Sequence, residues 1–226
     1  MILGVFSFIL FLFCTYVLSR EDFILLRKNI SLEQVFNTIF ISLPAAFLAS
    51  RVGYIVIKPS VHFLNPFVFF LIPYFPGLSL NAGILGVILF LYLYSKNQKM
   101  PFERLFDIFA VSFFIVQTVI HFFSLVTNVV IKKHLILQEP VLFVLFVAFS
   151  ILFAFWLTTG RWKDGVTAAL ILIAYSILSF ADDIIPLILK HKFSLENEWF
   201  FLLILFILGF TIFVKKQMLT RGRRGE

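Results

Sequence analysis

Residues 76–86 read Pro-Gly-Leu-Ser-Leu-Asn-Ala-Gly-Ile-Leu-Gly, and they open an apolar run that continues to Tyr94. Glycine adds no stability to a helix inside hydrocarbon, and an asparagine such as Asn81 costs free energy there unless it has a hydrogen-bonding partner. Small residues at such a place allow another helix, or the head of a ligand, to approach the backbone closely. The stretch therefore predicts the start of a membrane-spanning helix that makes an unusually close contact.

A second polar signal lies earlier in the chain, where Arg51-Val52-Gly53-Tyr54 places a cation inside another apolar span. An arginine within a span is costly, and by default it marks a functional site. The alternative is an Arg51 side chain that extends to the membrane interface and has no further role. Together with residues 76–86, this arginine indicates polar chemistry inside a bilayer.

The composition describes a membrane protein. The chain has 226 residues, of which 61% are hydrophobic and 14% charged, with a mean hydropathy of +1.03. No soluble domain of this size could bury that much apolar surface. Because the cations lie between apolar spans, the net charge of +7 indicates contact with anionic lipid and no role in nucleic-acid binding. The sequence has no pattern of metal ligands, so we expect neither a metal nor another cofactor.

Seven stretches approach the length of about 20 apolar residues that a membrane helix needs. They are residues 1–19, 34–57, 77–95, 107–131, 141–158, 166–185 and 199–214. The first has no basic segment before its apolar core, so we expect a retained helix and no cleaved signal peptide. The predicted fold class is all-α, an integral membrane bundle of seven transmembrane helices that forms one transmembrane domain over residues 1–226.

Two segments are expected outside the spans. Residues 58–76 are rich in proline and aromatic residues, and proline at this density breaks a regular helix, so we expect an interfacial arm. Residues 215–226 form a basic tail. Most lysines and arginines lie in the odd-numbered gaps and this tail, which predicts a cytoplasmic C-terminus and an N-terminus outside. The cations of the even-numbered gaps are Lys58, Lys132, Lys133, Lys190 and Lys192.

Polar residues recur at helical spacing in the fourth and sixth spans. The fourth span carries Gln117, His121, Ser124 and Asn128, and the sixth carries Tyr175, Ser179 and Asp182, with Asp183 beside them. Such stripes avoid lipid, because lipid would leave their hydrogen bonds unmade. We infer a polar cavity near the outer leaflet, lined by spans two, three, four and six. Alternatively, the stripes join helices to one another, and the two aspartates mark the end of the sixth span.

The elements around Arg51 and Asn81 closely resemble prolipoprotein diacylglyceryl transferase, a bacterial family. That family has an ARxGY-like element and, at a similar distance, a GGLSFHGGLLG-like element. The likeness reappears at Lys163-Asp164-Gly165, followed by Tyr175 and Asp183, where the family has a basic turn and a helix ending like YGxxRFxxEFxR. It covers roughly residues 45–186. The family's seven spans and outside N-terminus match those predicted above.

The resemblance implies an activity in a bacterial-type plasma membrane. The family moves the diacylglyceryl group of phosphatidylglycerol to the lipobox cysteine thiol of exported prolipoproteins, so the implied partners are this phospholipid and the signal peptide of a precursor. The implied catalytic residues are His121, Tyr175 and Asn81. The implied lipid- and phosphate-binding residues are Arg51, Tyr54, Ser124, Ser179 and Asp183.

Several positions depart from the family pattern, and they leave three hypotheses open. The family's histidine falls on Asn81, and two of its arginines fall on His121 and Ser179. The chain is therefore either a divergent transferase with a rearranged site or a catalytically degenerate member that binds membrane lipid or a precursor. A small transporter or channel subunit is the third hypothesis, although the chain has no internal repeat.

Overall fold

The computed structural model describes residues 2–20, 22–59, 77–130, 138–160, 162–190 and 198–221. Within these ranges it has eight α-helices and no strand. The helices are α1 Ile2–Arg20, α2 Phe23–Arg27, α3 Leu32–Ile57, α4 Leu80–Asn97, α5 Phe102–Val130, α6 Gln138–Thr159, α7 Val166–Lys190 and α8 Trp199–Arg221. All except α2 are long and apolar enough to cross a membrane, which confirms the predicted all-α bundle of seven spans.

The helix boundaries follow local capping. Helix α3 begins two residues before the predicted span because Ser31 and Gln34 form a capping box, in which each side chain accepts a hydrogen bond from the other residue's backbone N–H. Helix α5 begins at Phe102, five residues before the predicted fourth span, and α8 continues through part of the predicted basic tail. Of the predicted interfacial arm, residues 60–76 lie outside the described residues, as do residues 222–226 of the tail.

Contacts between helix termini define two ends of the bundle. One end holds the start of α3, α5 and α7, and it is called here the Arg104 end. The other holds the start of α4, α6 and α8, and it is called the Arg51 end. Helix α5 is the most buried span, with half of its apolar window inside the protein.

Helices α3 and α4 pack through small residues, as the spacing in residues 76–86 indicated. A Cβ on Gly86 would overlap Ala49 and would lie 3.0 Å from the carbonyl oxygen of Ala45, and a Cβ on Gly53 would overlap Ala82. A Cβ on Gly83 would lie 3.4 Å from that of Ser50. These positions allow the two backbones to approach more closely than larger side chains would permit.

The Arg104 end is held by a buried ion pair and by caps at the starts of helices. Arg104 Nε donates to Asp22 Oδ2 at 2.7 Å, and its Nη2 donates to the carbonyl oxygen of Leu157 at 3.2 Å. Asp22 also caps α2, because its Oδ1 accepts from the backbone N–H groups of Ile24 and Leu25 at 3.1 and 3.0 Å. This arginine therefore ties the link after α1 to α5 and α6.

Asp107 of α5 caps the start of α7. Its two carboxylate oxygens accept from the backbone N–H groups of Gly165 and Ala168, each at 2.7 Å. The first N–H groups of a helix have no partner within the helix, and a carboxylate there also interacts favourably with the helix dipole. The side chain is almost fully buried, so the cap joins α5 and α7 in the interior.

Candidate functional site

The residues before α4 form a short loop that is fixed against α3. The backbone N–H of Ser79 donates to the carbonyl oxygen of Ser50 at 3.0 Å, and the Ser79 hydroxyl caps α4 by accepting from the N–H of Ala82 at 3.3 Å. Gly77 has a φ of +144°, and a Cβ there would overlap the ring of Tyr54. Only glycine fits this position without strain.

Arg51 holds the same loop from inside the protein. Its side chain is fully buried, and Nη1 donates to the carbonyl oxygen of Gly77 at 2.8 Å. The guanidinium carbon also lies 5.9 Å from the centre of the Tyr54 ring, within the range of a cation–π contact. Arg51 therefore points into the bundle, which excludes the alternative in which it extends to the membrane interface.

Three polar side chains, two from helices and one from the residue before α8, form a hydrogen-bonded chain beside this loop. The hydroxyl of Tyr175 on α7 donates to Asn81 Oδ1 on α4 at 3.0 Å, and Asn81 Nδ2 donates to Glu198 Oε2 at 3.2 Å. Asn81 and Tyr175 are both buried. Asn81 thus has the partners that an asparagine needs inside a membrane protein. The Ser179 hydroxyl, one turn after Tyr175, lies beside the phenol.

An apolar cavity of about 480 Å³ lies next to the chain of polar groups, and its volume is typical of a small-molecule site. Tyr175 lines it, as do Leu78 from the loop, Ser50 and Gly83. The remaining walls come from α1, α3, α4, α5 and α7 and are almost entirely hydrophobic. The sequence had indicated a polar cavity. In the structure the polar groups are paired with one another at its margin, and helix α1 also lines the cavity.

The stripe on α5 contacts helix α6. His121 stacks on Phe146 with ring centres 4.3 Å apart, and Asn128 Nδ2 donates to Glu139 Oε1 at 2.5 Å. Ser124 is exposed. These contacts support the alternative in which the stripe joins helices, and the stripe contributes no residue to the described cavity wall.

The acidic residues near the end of α7 connect the two groups of polar side chains. Asp182 is partly buried and interacts electrostatically with His121, while Asp183 is exposed and interacts electrostatically with Tyr175. The acidic pair on α7 therefore lies near both His121 of α5 and Tyr175 of α7 itself. Among the described residues no group of three or more His, Cys, Asp or Glu is arranged to hold a metal ion.

Sequence reasoning missed Glu198. This residue immediately precedes α8, and its carbonyl oxygen accepts from the N–H groups of Phe201 and Leu202, so it occupies the N-cap position. Its side chain instead reaches Asn81, which lies 117 residues earlier in the chain. An acid just before an apolar run signals the start of a helix, but no local pattern indicates so distant a partner.

Comparisons with known proteins identify the family of the chain. A family model described as prolipoprotein diacylglyceryl transferase matches residues 2–215. A curated relative, phosphatidylglycerol–prolipoprotein diacylglyceryl transferase of Wigglesworthia glossinidia brevipalpis, is 30% identical over 91 residues. That alignment covers 40% of this chain and 31% of the relative, so the matched part spans about a third of the relative's length. Because the family model matches nearly the whole chain, this seven-span membrane protein belongs to the prolipoprotein diacylglyceryl transferase family.

Proposed function

We propose that this protein transfers the diacylglyceryl group of phosphatidylglycerol to the lipobox cysteine thiol of an exported prolipoprotein. In this reaction the cysteine sulfur attacks the glyceryl carbon that carries the phosphate ester. The new C–S bond forms as the C–O bond breaks, glycerol phosphate leaves with the bonding electron pair, and a base takes the thiol proton. The protein must therefore hold two acyl chains, stabilise a phosphate and accept a proton.

The observation that carries this proposal is the apolar cavity that ends at paired polar side chains. A diacylglyceryl lipid has the same division, because its acyl chains are hydrophobic and its headgroup is polar. The cavity walls suit acyl chains. The loop of residues 77–79, together with Tyr175 and Asn81, suits a headgroup at the Arg51 end.

Arg51 is the residue assigned to the lipid phosphate. A guanidinium has five N–H donors in a planar arrangement, and it binds phosphate with two parallel hydrogen bonds. The Gly77 carbonyl takes one of these donors. Tyr54 packs against the guanidinium and fixes the loop. A lipid phosphate at this place would lie beside the headgroup-binding pair Asn81 and Tyr175.

His121 is the residue assigned to accept the thiol proton. An imidazole can accept a proton, and Asp182 lies close enough to interact electrostatically with the imidazolium that would form. Helix α5 also carries Ser124, and helix α7 carries Ser179 and Asp183. We assign these three residues to contacts with the lipid and the peptide as they reach the site.

The proposed orientation places this site where precursors emerge. The surplus of basic residues at the Arg104 end favours a cytoplasmic location for that end. The Arg51 end then faces the outside of a bacterial plasma membrane, with the N-terminus outside and the C-terminus in the cytoplasm. Exported prolipoproteins would reach the headgroup side of the cavity from there.

The second candidate function is binding without catalysis, and the departures at Asn81, His121 and Ser179 favour it.

The test incubates the purified full chain in phosphatidylglycerol vesicles with a lipobox peptide and measures the peptide mass. We expect a diacylglyceryl mass increase that disappears when the peptide cysteine is replaced by serine or when Arg51 is replaced by alanine. A peptide of unchanged mass would refute the transferase, and turnover that appears only after Asn81→His, His121→Arg and Ser179→Arg would favour the degenerate member.

A further inference from the structure

The hydrogen-bonded chain of Tyr175, Asn81 and Glu198 joins three helices at the margin of the cavity. Asn81 is 7% exposed and Tyr175 is 5% exposed, so their mutual hydrogen bond is buried, while the bond from Asn81 to Glu198 is partly buried. The chain ends in a carboxylate at the start of α8, while Tyr175 lines the cavity. One end of the chain is therefore charged, and the other meets the proposed substrate.

The charge at one end fixes the direction of every hydrogen bond in the chain. An ionised carboxylate only accepts hydrogen bonds, so the Asn81 group that faces Glu198 must be its NH₂. The amide oxygen then faces Tyr175, and it can only accept. The single proton of the phenol is therefore directed at Asn81.

This direction determines what Tyr175 can offer to a ligand. With its proton committed to Asn81, the phenolic oxygen has only lone pairs left for further hydrogen bonding, and the Ser179 hydroxyl occupies one of them as a donor. A lone pair remains for a ligand. Phosphate oxygens and ester carbonyls also only accept, so this phenol cannot hydrogen-bond to them. A hydroxyl or a thiol can donate to it.

We infer that Glu198 is a positioning residue that orients Asn81, and through it Tyr175, so that the phenolic oxygen accepts a hydrogen bond from a substrate O–H or S–H. The inference rests on the proposed function for the two candidate donors, which are the glycerol hydroxyls of the lipid headgroup and the cysteine thiol of the precursor. The direction of the chain itself rests on the contacts and the acceptor-only chemistry of a carboxylate.

The lipid arm of the test compares phosphatidylglycerol with phosphatidylmethanol. The two lipids carry the same phosphodiester charge, but the second has no headgroup hydroxyl. Binding of each lipid to the purified full chain is measured by titration in detergent. We expect the unaltered protein to prefer phosphatidylglycerol by about tenfold, the ratio that one buried hydrogen bond provides. The peptide arm compares a lipobox peptide with the same peptide S-methylated at its cysteine.

The variants are Glu198→Gln and Tyr175→Phe, which preserve the size of each side chain. A glutamine amide can accept or donate, so it no longer fixes the direction of the chain, and we expect the preference to fall about threefold in Glu198→Gln. Tyr175→Phe should abolish it. Binding of phosphatidylmethanol should be unchanged in both variants, whereas a purely structural role would weaken the binding of both lipids equally.

A preference for the donor-bearing ligand in either arm supports the inference and identifies the source of the donor. The inference is overturned if the unaltered protein shows no preference in either arm. It is also overturned if both variants keep the full preference of the unaltered protein. These binding ratios need no turnover. If the protein shows the preference but lipidates no peptide, the proposed function alone is refuted. If the protein lipidates peptide and Glu198→Gln keeps the same binding preference as the unaltered protein, the positioning role alone is refuted.

Discussion

The two ends of the bundle both bury charged side chains, but they use them differently. At the Arg104 end, the arginine contacts Asp22 and Leu157, and Asp107 caps α7. At the Arg51 end, the buried arginine holds a loop by one carbonyl oxygen, and the adjacent hydrogen-bonded chain borders a cavity of about 480 Å³. The first arrangement joins helices to one another, whereas the second lies where a ligand could bind.

The comparison shows that burial of a charge alone does not identify a functional site. Arg104 is 8% exposed and Asp107 is 1% exposed, so both are as well hidden as the residues at the other end. What distinguishes the Arg51 end is that Tyr175, a member of its hydrogen-bonded chain, lines the apolar cavity, whereas neither Arg104 nor Asp107 lines it. The expected consequence is that substitutions at the Arg104 end mainly lower stability, while those at the Arg51 end mainly lower ligand binding.

The largest expected effect is the loss of stability in Arg104→Met. The substitution leaves Asp22 buried without its cation, and breaking a buried pair in this way costs about 3–5 kcal/mol. The measurement is thermal unfolding of the purified protein in detergent.

Burial also raises the pKa of the Asp164 carboxyl, and the Arg104 cation opposes that shift. Without Arg104 this pKa rises further, so the folded state loses stability as the pH rises above the usual range of an aspartate.

Two companion variants separate charge from packing at this site. The double variant Arg104→Met and Asp22→Asn has no uncompensated carboxylate at residue 22, and the asparagine can still cap α2. It should therefore be more stable than Arg104→Met alone. Lys216→Ala breaks the pair with the exposed Glu103 and should cost about 0–1 kcal/mol. Equal losses in the Lys216 and Arg104 variants would contradict the structural role of Arg104.

Asp107→Ala should have the next largest effect. It leaves two buried backbone N–H groups at the start of α7 without an acceptor, which costs about 2–3 kcal/mol. Asp107→Asn keeps one acceptor oxygen and should lose about half as much. Unfolding temperatures measure both, and lipid binding by the folded fraction should be unchanged. A binding defect in Asp107→Asn at full stability would show that this end also serves the ligand.

A smaller loss of stability is expected from Gly77→Ala at the Arg51 end. The new Cβ would overlap the Tyr54 ring at a positive φ, so the loop that Arg51 holds must shift, at a cost of about 2 kcal/mol. Gly160→Ala is the matched control, because Gly160 also has a positive φ but nothing lies within 4 Å of its Cβ position. It should cost about 1 kcal/mol.

Binding distinguishes these two glycine variants more sharply than stability does. Gly77→Ala should also weaken binding of phosphatidylglycerol, because the loop carries the carbonyl that orients Arg51. Gly160→Ala should leave binding unchanged. If both variants bind the lipid as the unaltered protein does, the loop of residues 77–79 takes no part in the site.

Sequence reasoning predicted the spans well because each depends on local hydrophobicity, which twenty consecutive residues report directly. It also singled out Arg51, Asn81 and Tyr175, because polar residues inside an apolar run are conspicuous, and the structure places all three at the Arg51 end. It assigned Arg104 to a connecting segment, since α5 begins five residues before the predicted span. Arg104 and Asp107 act through tertiary contacts with α1–α2, α6 and α7, and these contacts leave no periodic signal in the chain.

The direction of the stripe on α5 shows the same limit. Spacing placed Gln117, His121, Ser124 and Asn128 on one face, but it could not say which neighbour that face meets. In the structure His121 contacts Phe146 and Asn128 contacts Glu139, both on α6. Glu198 is the opposite case, since its role depends on a partner in α4 that no pattern near α8 reveals.

Apart from the control variants at Lys216 and Gly160, the smallest expected change in stability belongs to Tyr175→Phe, which should also have the clearest functional effect. The ring keeps its edge-to-face contact with Phe113, at 5.4 Å between centres, so packing is preserved. Loss of the hydroxyl removes one hydrogen bond to Asn81 and costs about 1 kcal/mol. Because the hydroxyl lies at the cavity margin, peptide lipidation should fall at least tenfold while the unfolding temperature changes little. Phe113→Leu, which alters the packing and keeps the hydroxyl, should show the reverse. If both substitutions reduce lipidation in proportion to stability, the Arg51 end is structural in the same sense as the Arg104 end.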